Sequence, residues 1–154
     1  MVKFESWVAF GALALGVLFV ALLVSFYNFL IGTGGHGPQI AVDPQGVLVM
    51  IVSISGVPSL ILAGAVGGLS KSRPAQFSGV LLIITSVIMV GGMVAAWLIL
   101  SKINSSFLVA GMDVVPIIFT VAALGVGAYG AYLIIASKRR RQSFEGTGFE
   151  SDIL

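Results

Sequence analysis

Residues 46–100 read GVLVMIVSISGVPSLILAGAVGGL (Gly46–Leu69), SKSRPAQ (Ser70–Gln76) and FSGVLLIITSVIMVGGMVAAWLIL (Phe77–Leu100). Each flanking run is 24 residues long and holds no Asp, Glu, Lys, Arg or His. As a helix each is roughly 36 Å long, enough to cross a hydrocarbon core of about 30 Å with some tilt. A water-soluble helical hairpin has no use for that much unbroken apolar surface. The seven-residue turn between the runs is short, which predicts that the second and third helices are antiparallel neighbours.

Outward from this hairpin the pattern repeats. On the N-terminal side, Gly32–Gln45 is a loop with four glycines, two prolines, His36 and Asp43. Before it, Trp7–Ile31 is a 25-residue apolar run. A secretory signal would have an apolar stretch of only about 7–15 residues and a small-residue cleavage site. This run ends in Phe26-Tyr-Asn-Phe-Leu-Ile31 and reads as a retained membrane helix. On the C-terminal side, Ser101–Asp113 is a polar loop, Val114–Ala136 a fourth apolar run, and Ser137–Leu154 a polar tail opening with Lys138-Arg-Arg-Arg141 and turning acidic. The predicted helices are therefore 7–31, 46–69, 77–100 and 114–136. Asp43 and Asp113 each precede a proline-bearing first turn and read as N-caps, since a carboxylate accepts from the orphan N–H groups there. Pro58 lies in the middle of the second helix and predicts a kink, with Ser53, Ser55 and Ser59 available to the freed backbone groups.

Composition agrees. The 154 residues are 58% hydrophobic and 9% charged, against about 25% charged in soluble domains. The expected fold is all-α, a single four-helix transmembrane bundle of up-down topology, multi-pass in the cell membrane. Positive charge sets its orientation. Lys3, Lys71, Arg73, Lys138, Arg139, Arg140 and Arg141 fall on the side of the termini, against Lys102 alone on the other. Both termini are expected to be cytoplasmic, with Lys71, Arg73 and Lys138–Arg141 contacting lipid headgroups. The same placement explains the basic pI without nucleic acid. Trp7, Phe77 and Tyr132 are expected in the aromatic belt of one interface, and Tyr27 and Trp97 in that of the other.

Helices in lipid associate through close backbone approach. Small residues recur at spacing four in Gly64-xxx-Gly68, Ala63-xxx-Gly67, Gly91-xxx-Ala95, Gly92-xxx-Ala96 and Ala123-xxx-Gly127-xxx-Ala131. These are the expected packing residues, within the bundle or against a partner.

Chemistry is sparse. The predicted spans hold no ionisable Asp, Glu, Lys, Arg or His, the usual signature of proton relays and ion pathways. There is no cysteine, and the one histidine is in a loop. No catalytic residue and no cofactor are assigned. His36 and Asp43 are weak metal-ligand candidates, two groups being too few for a closed site. Gly34-Gly35-His36-Gly37 lacks the strand and Lys-Ser/Thr of a phosphate loop. The leading functional expectation is a non-catalytic accessory subunit docked to other integral membrane subunits. Membrane oxidoreductases such as respiratory complexes or copper membrane monooxygenases use small subunits of that architecture. The alternatives are a homo-oligomeric channel or facilitator built on the kinked, serine-bearing second helix, and a scaffold or sensor acting through the tail, where Phe144-Glu145 and Phe149-Glu150 echo each other.

Overall fold

The computed structural model describes residues 4–32, 37–38, 40–70, 76–103, 105, 108–109 and 111–148. Its elements are α1 (Phe4–Ile31), α2 (Pro44–Ile51), a π-helical turn (Val52–Gly56), α3 (Val57–Ser70), α4 (Gln76–Leu100) and α5 (Val114–Gly148). The π turn joins α2 and α3 into one continuous second span. Four spans are long and apolar enough to cross a membrane, Phe4–Ile31, Pro44–Leu69, Gln76–Leu100 and Val114–Arg139. The chain is an all-helical, multi-pass membrane fold, and no strand occurs among the described residues.

Local chemistry sets the helix ends. Gly32 stops α1 with φ +66°, a left-handed conformation that other residues adopt at a cost. Its N–H donates to Phe29 O at 3.1 Å, and Gly37 N–H donates to Ile31 O at 3.1 Å. Asp43 caps the second span as expected: its carboxylate accepts from Gln45 N–H at 3.1 Å, and Pro44 takes the first helical position. Asp113 does not act this way toward any described residue. The first turn of α5 is instead closed by Val115 N–H donating to Gly111 O at 2.8 Å, with Gly111 at φ +107°.

Three expectations need correcting. The second and third spans are not packed neighbours. α4 packs against α1 and α5, α3 packs against α1, and α3 meets α5 only thinly. The order around the bundle is first, second, fourth, third. The cause lies in α1, whose inner face is Ala9, Ala12 and Gly16, all buried. That flat face lets α3 and α4 close on α1 from two sides. A Cβ at Gly16 would stand 3.2 Å from both Ser59 Oγ and Thr85 Cγ2.

The fourth helix does not stop at Ala136 but runs to Gly148. Ser137-Lys-Arg-Arg-Arg-Gln-Ser-Phe-Glu145 holds no Pro or Gly, and its Lys, Arg, Gln and Glu are good helix formers. Finally, Tyr27 does not join an aromatic belt. It is fully buried and its hydroxyl donates to Met112 O at 2.9 Å. Trp7, Phe77, Trp97 and Tyr132 do face outward.

The core falls into two parts. Toward the 32–43 and 101–113 loops it is bulky, with Phe19, Leu23, Tyr27, Met89, Met93 and Phe119. Toward the termini it is slimmer, with Ala9, Ala12, Ala63, Val66, Leu82 and Leu133. At the junction the π turn drives Gly56 against Phe19 and Phe119, whose ring centroids lie 4.4 Å apart. Pro58 has no N–H for Ile54 O, and in an α-helix its ring would crowd that carbonyl. A wider π turn, Val52–Gly56, stands just before it and supplies the room.

Candidate functional site

The apolar spans leave few polar atoms for function, so their partners decide what remains. Ser55, Thr85 and Thr120 donate to carbonyls one turn back, Ile51 O at 2.8 Å, Leu81 O at 2.9 Å and Pro116 O at 2.6 Å. Ser59 donates across to Ala12 O at 2.9 Å, Ser86 to Ala123 O at 2.7 Å and Tyr129 to Gly67 O at 2.9 Å. These last three tie first span to second, third to fourth, and fourth back to second. Each such bond in a bilayer averages about 0.6 kcal/mol. Of the serines expected around Pro58, Ser55 bonds locally, Ser59 bonds α1, and Ser53 is exposed. Ser78 Oγ is buried with no partner among the described residues.

The bundle axis is filled by side chains. Phe19, Phe119 and Met89 pack beside Gly56 at its middle, with no polar seam there among the described residues. Among the described residues no three His, Cys, Asp or Glu side chains gather. Asp43 is engaged as a helix cap; His36 lies outside the described residues, as do Lys71 and Arg73. Lys138 and Arg139 are exposed on α5. Positions 140 and 141 continue that helix.

The surface is therefore where the chain has something to offer, and the small residues divide between inside and outside. Ala123 is buried, and Gly127 packs on Ser86. Ala131 and Ala95 are half-buried. Gly64, Gly68 and Gly91 are exposed, and a Cβ on any of them would meet nothing within 4 Å. The inward partners are the neighbouring pairs, Ala63 with Gly67 and Gly92 with Ala96. A backbone-to-backbone helix contact, Gly79 against Gly130, was not signalled by spacing four. A Cβ on either would stand 2.8 Å from the other's carbonyl oxygen.

Two outward features result. On α4, Val87, Gly91, Val94 and Leu98 form an exposed stripe at 4-3-4 spacing, with Gly91 as a notch between bulky residues. Between α3 and α5 an apolar groove of about 500 Å³ opens sideways, floored by Leu82 and shut at one end by the Tyr129–Gly67 bond. A second depression, of about 510 Å³, lies at the loop end of α4, lined by Trp97, Ser101, Leu108 and Asp113 among others. No protein-family model, curated protein or solved structure matches the chain.

Proposed function

We propose that the chain is a non-catalytic accessory subunit of a larger integral membrane complex, seated with both termini in the cytoplasm. The observation that carries this reading is the outward stripe of α4. An exposed glycine notch between Val87 and Leu98 is the shape that admits a crossing helix to close backbone approach. Lipid gains nothing from such a notch. Ser25 and Ser53 add to it. Both residues are exposed and their hydroxyls donate to no described residue, whereas the buried hydroxyls of Ser55, Ser59, Thr85 and Ser86 are all bonded. Outward hydroxyls in a membrane are used as interhelical donors.

The test is extraction from native membranes in mild detergent, native-gel separation and mass spectrometry of the band holding this chain. A large band with fixed, unrelated membrane partners is the expected result. Gly91→Leu should release the chain from that band while leaving its own melting temperature within a few degrees, because the side chain enters open space. A band containing this chain alone would overturn the reading. It would bring forward the homo-oligomeric channel, whose pore would have to run between copies because the axis of one copy is filled.

A further inference from the structure

We propose that the cavity at the loop end of α4 binds an alkylammonium group, held between the Asp113 carboxylate and the Trp97 indole. The cavity measures about 510 Å³, within the roughly 300–1,000 Å³ of small-ligand sites. Both residues belong to its wall.

The chain builds this wall within a few residues. Gly111 turns the backbone at φ +107°. The next two side chains then part: Met112 is buried and Asp113 is exposed. The Met112 carbonyl accepts from the Tyr27 hydroxyl at 2.9 Å, which pins the wall to α1. The first turn of α5 closes through Val115 N–H on Gly111 O at 2.8 Å, so that donor is not taken by the Asp113 carboxylate. Trp97 is 50% exposed. It stands three residues before Leu100, where α4 ends, or about 4.5 Å from that end. Leu100, Val109 and Met112 make the wall otherwise apolar.

Chemistry selects the ligand. An anion would meet Asp113 with no cation in the wall to receive it. Lys102, the one Lys or Arg of the 101–113 loop, is exposed and does not line the cavity. A hard metal ion takes about six or more oxygen ligands. Besides the carboxylate, the wall's side chains offer the Ser101 hydroxyl, which donates to Leu98 O at 2.8 Å. An alkylammonium group needs less: one opposite charge, an aromatic face, and apolar contact for its methyl or methylene groups. A carboxylate, an indole and three apolar side chains supply that set. The site is separate from the α4 stripe on which the accessory-subunit reading rests.

The test is titration calorimetry of the full chain, in a mild detergent without choline headgroups. The probes are choline and its uncharged isostere with carbon in place of nitrogen. One choline per chain should bind at least about tenfold more tightly than the isostere. Asp113→Asn should remove that margin, and Asp113→Glu should restore part of it. Trp97→Leu should weaken choline at least about threefold. In Trp7→Phe, Trp97 is the one tryptophan left, and its fluorescence should change as choline is added. The melting temperature should hold in each variant, since all three positions are exposed. Equal affinity for choline and the isostere overturns the proposal, as does unchanged affinity in Asp113→Asn or an unresponsive Trp97. So does sodium chloride that displaces choline as well as an equal concentration of tetramethylammonium does. A lipid headgroup and a free amine share this chemistry: displacement of choline by phosphatidylcholine added to the micelles assigns the first, and choline retained against it assigns the second. The titration uses the isolated chain, so its failure is distinct from failure of the accessory-subunit reading.

Discussion

Gly79 and Gly130 show how one atom decides a helix interface in lipid. Without Cβ atoms α4 and α5 can touch backbone to backbone; with one, each residue would press at 2.8 Å on the other's carbonyl oxygen. Backbone cannot swing aside as a side chain can, so Gly79→Ala and Gly130→Ala should each cost about 1–3 kcal/mol. The double variant should cost less than the sum, since the first substitution already forces the helices apart. Gly125→Ala, with open space at its Cβ, should be neutral or gain up to about 1 kcal/mol of helix propensity. Reversible unfolding in mixed micelles measures all four, and equal stability of Gly79→Ala and Gly125→Ala would sink the assignment. Spacing four marked Gly64, Gly68, Gly91 and Ala123 as packing residues, yet it did not tell inward from outward. A helix that is apolar all round carries no polar face to orient it. The same limit hid Tyr27, which by depth alone belongs at an interface and only through the carbonyl of Met112 belongs in the core.

At the scale of elements, the spans were legible because length and the lack of charge are one-dimensional properties, and start signals such as Asp43-Pro44 are local. The π turn was not, although Pro58 pointed to some disturbance there. Its register depends on Gly56 meeting Phe19 and Phe119, residues far away in sequence. The end of the fourth helix was misplaced for another reason. A change from apolar to basic marks the end of the membrane, and it need not mark the end of the helix. α5 carries twelve residues past Ala136, about 18 Å of helix, a spur that opens on the exposed Lys138 and Arg139. Gln142→Pro should unwind this spur, lowering the far-UV helical signal by up to about ten residues while the thermal midpoint stays put, because the last core residue described on α5 is Leu133, nine positions earlier. The control Ala131→Pro, inside the packed span, should prevent folding. An unchanged far-UV signal for Gln142→Pro would mean the spur is not helical.

The order of helices around the bundle belongs to the whole molecule, and no local pattern encodes it. A short turn usually joins neighbours; here α1 lies between the second and third spans because its Ala9, Ala12 and Gly16 face accepts both. Cross-linking can test that order cleanly, since the chain has no cysteine of its own. Disulfides form only when Cα atoms lie about 4.4–6.8 Å apart. Gly11→Cys with Leu62→Cys spans a first-to-second contact, where Leu62 Cδ1 is 3.3 Å from the Cβ position of Gly11. Ser86→Cys with Gly127→Cys spans the third-to-fourth contact. Both pairs should oxidise readily in membranes, while Leu62→Cys with Val80→Cys, joining the second and third spans, should not. A bundle wound in sequence order would reverse the last result. It would also remove the groove, because the second and fourth spans would then sit at opposite corners. The second and fourth helices share a face in the order first, second, fourth, third and would not in sequence order. Their contact is thin enough to leave a cavity, and the Tyr129–Gly67 bond, the one direct bond between them among the described residues, fixes where that cavity ends. The helix order is therefore the premise of the groove, and the cysteine pairs test that premise directly.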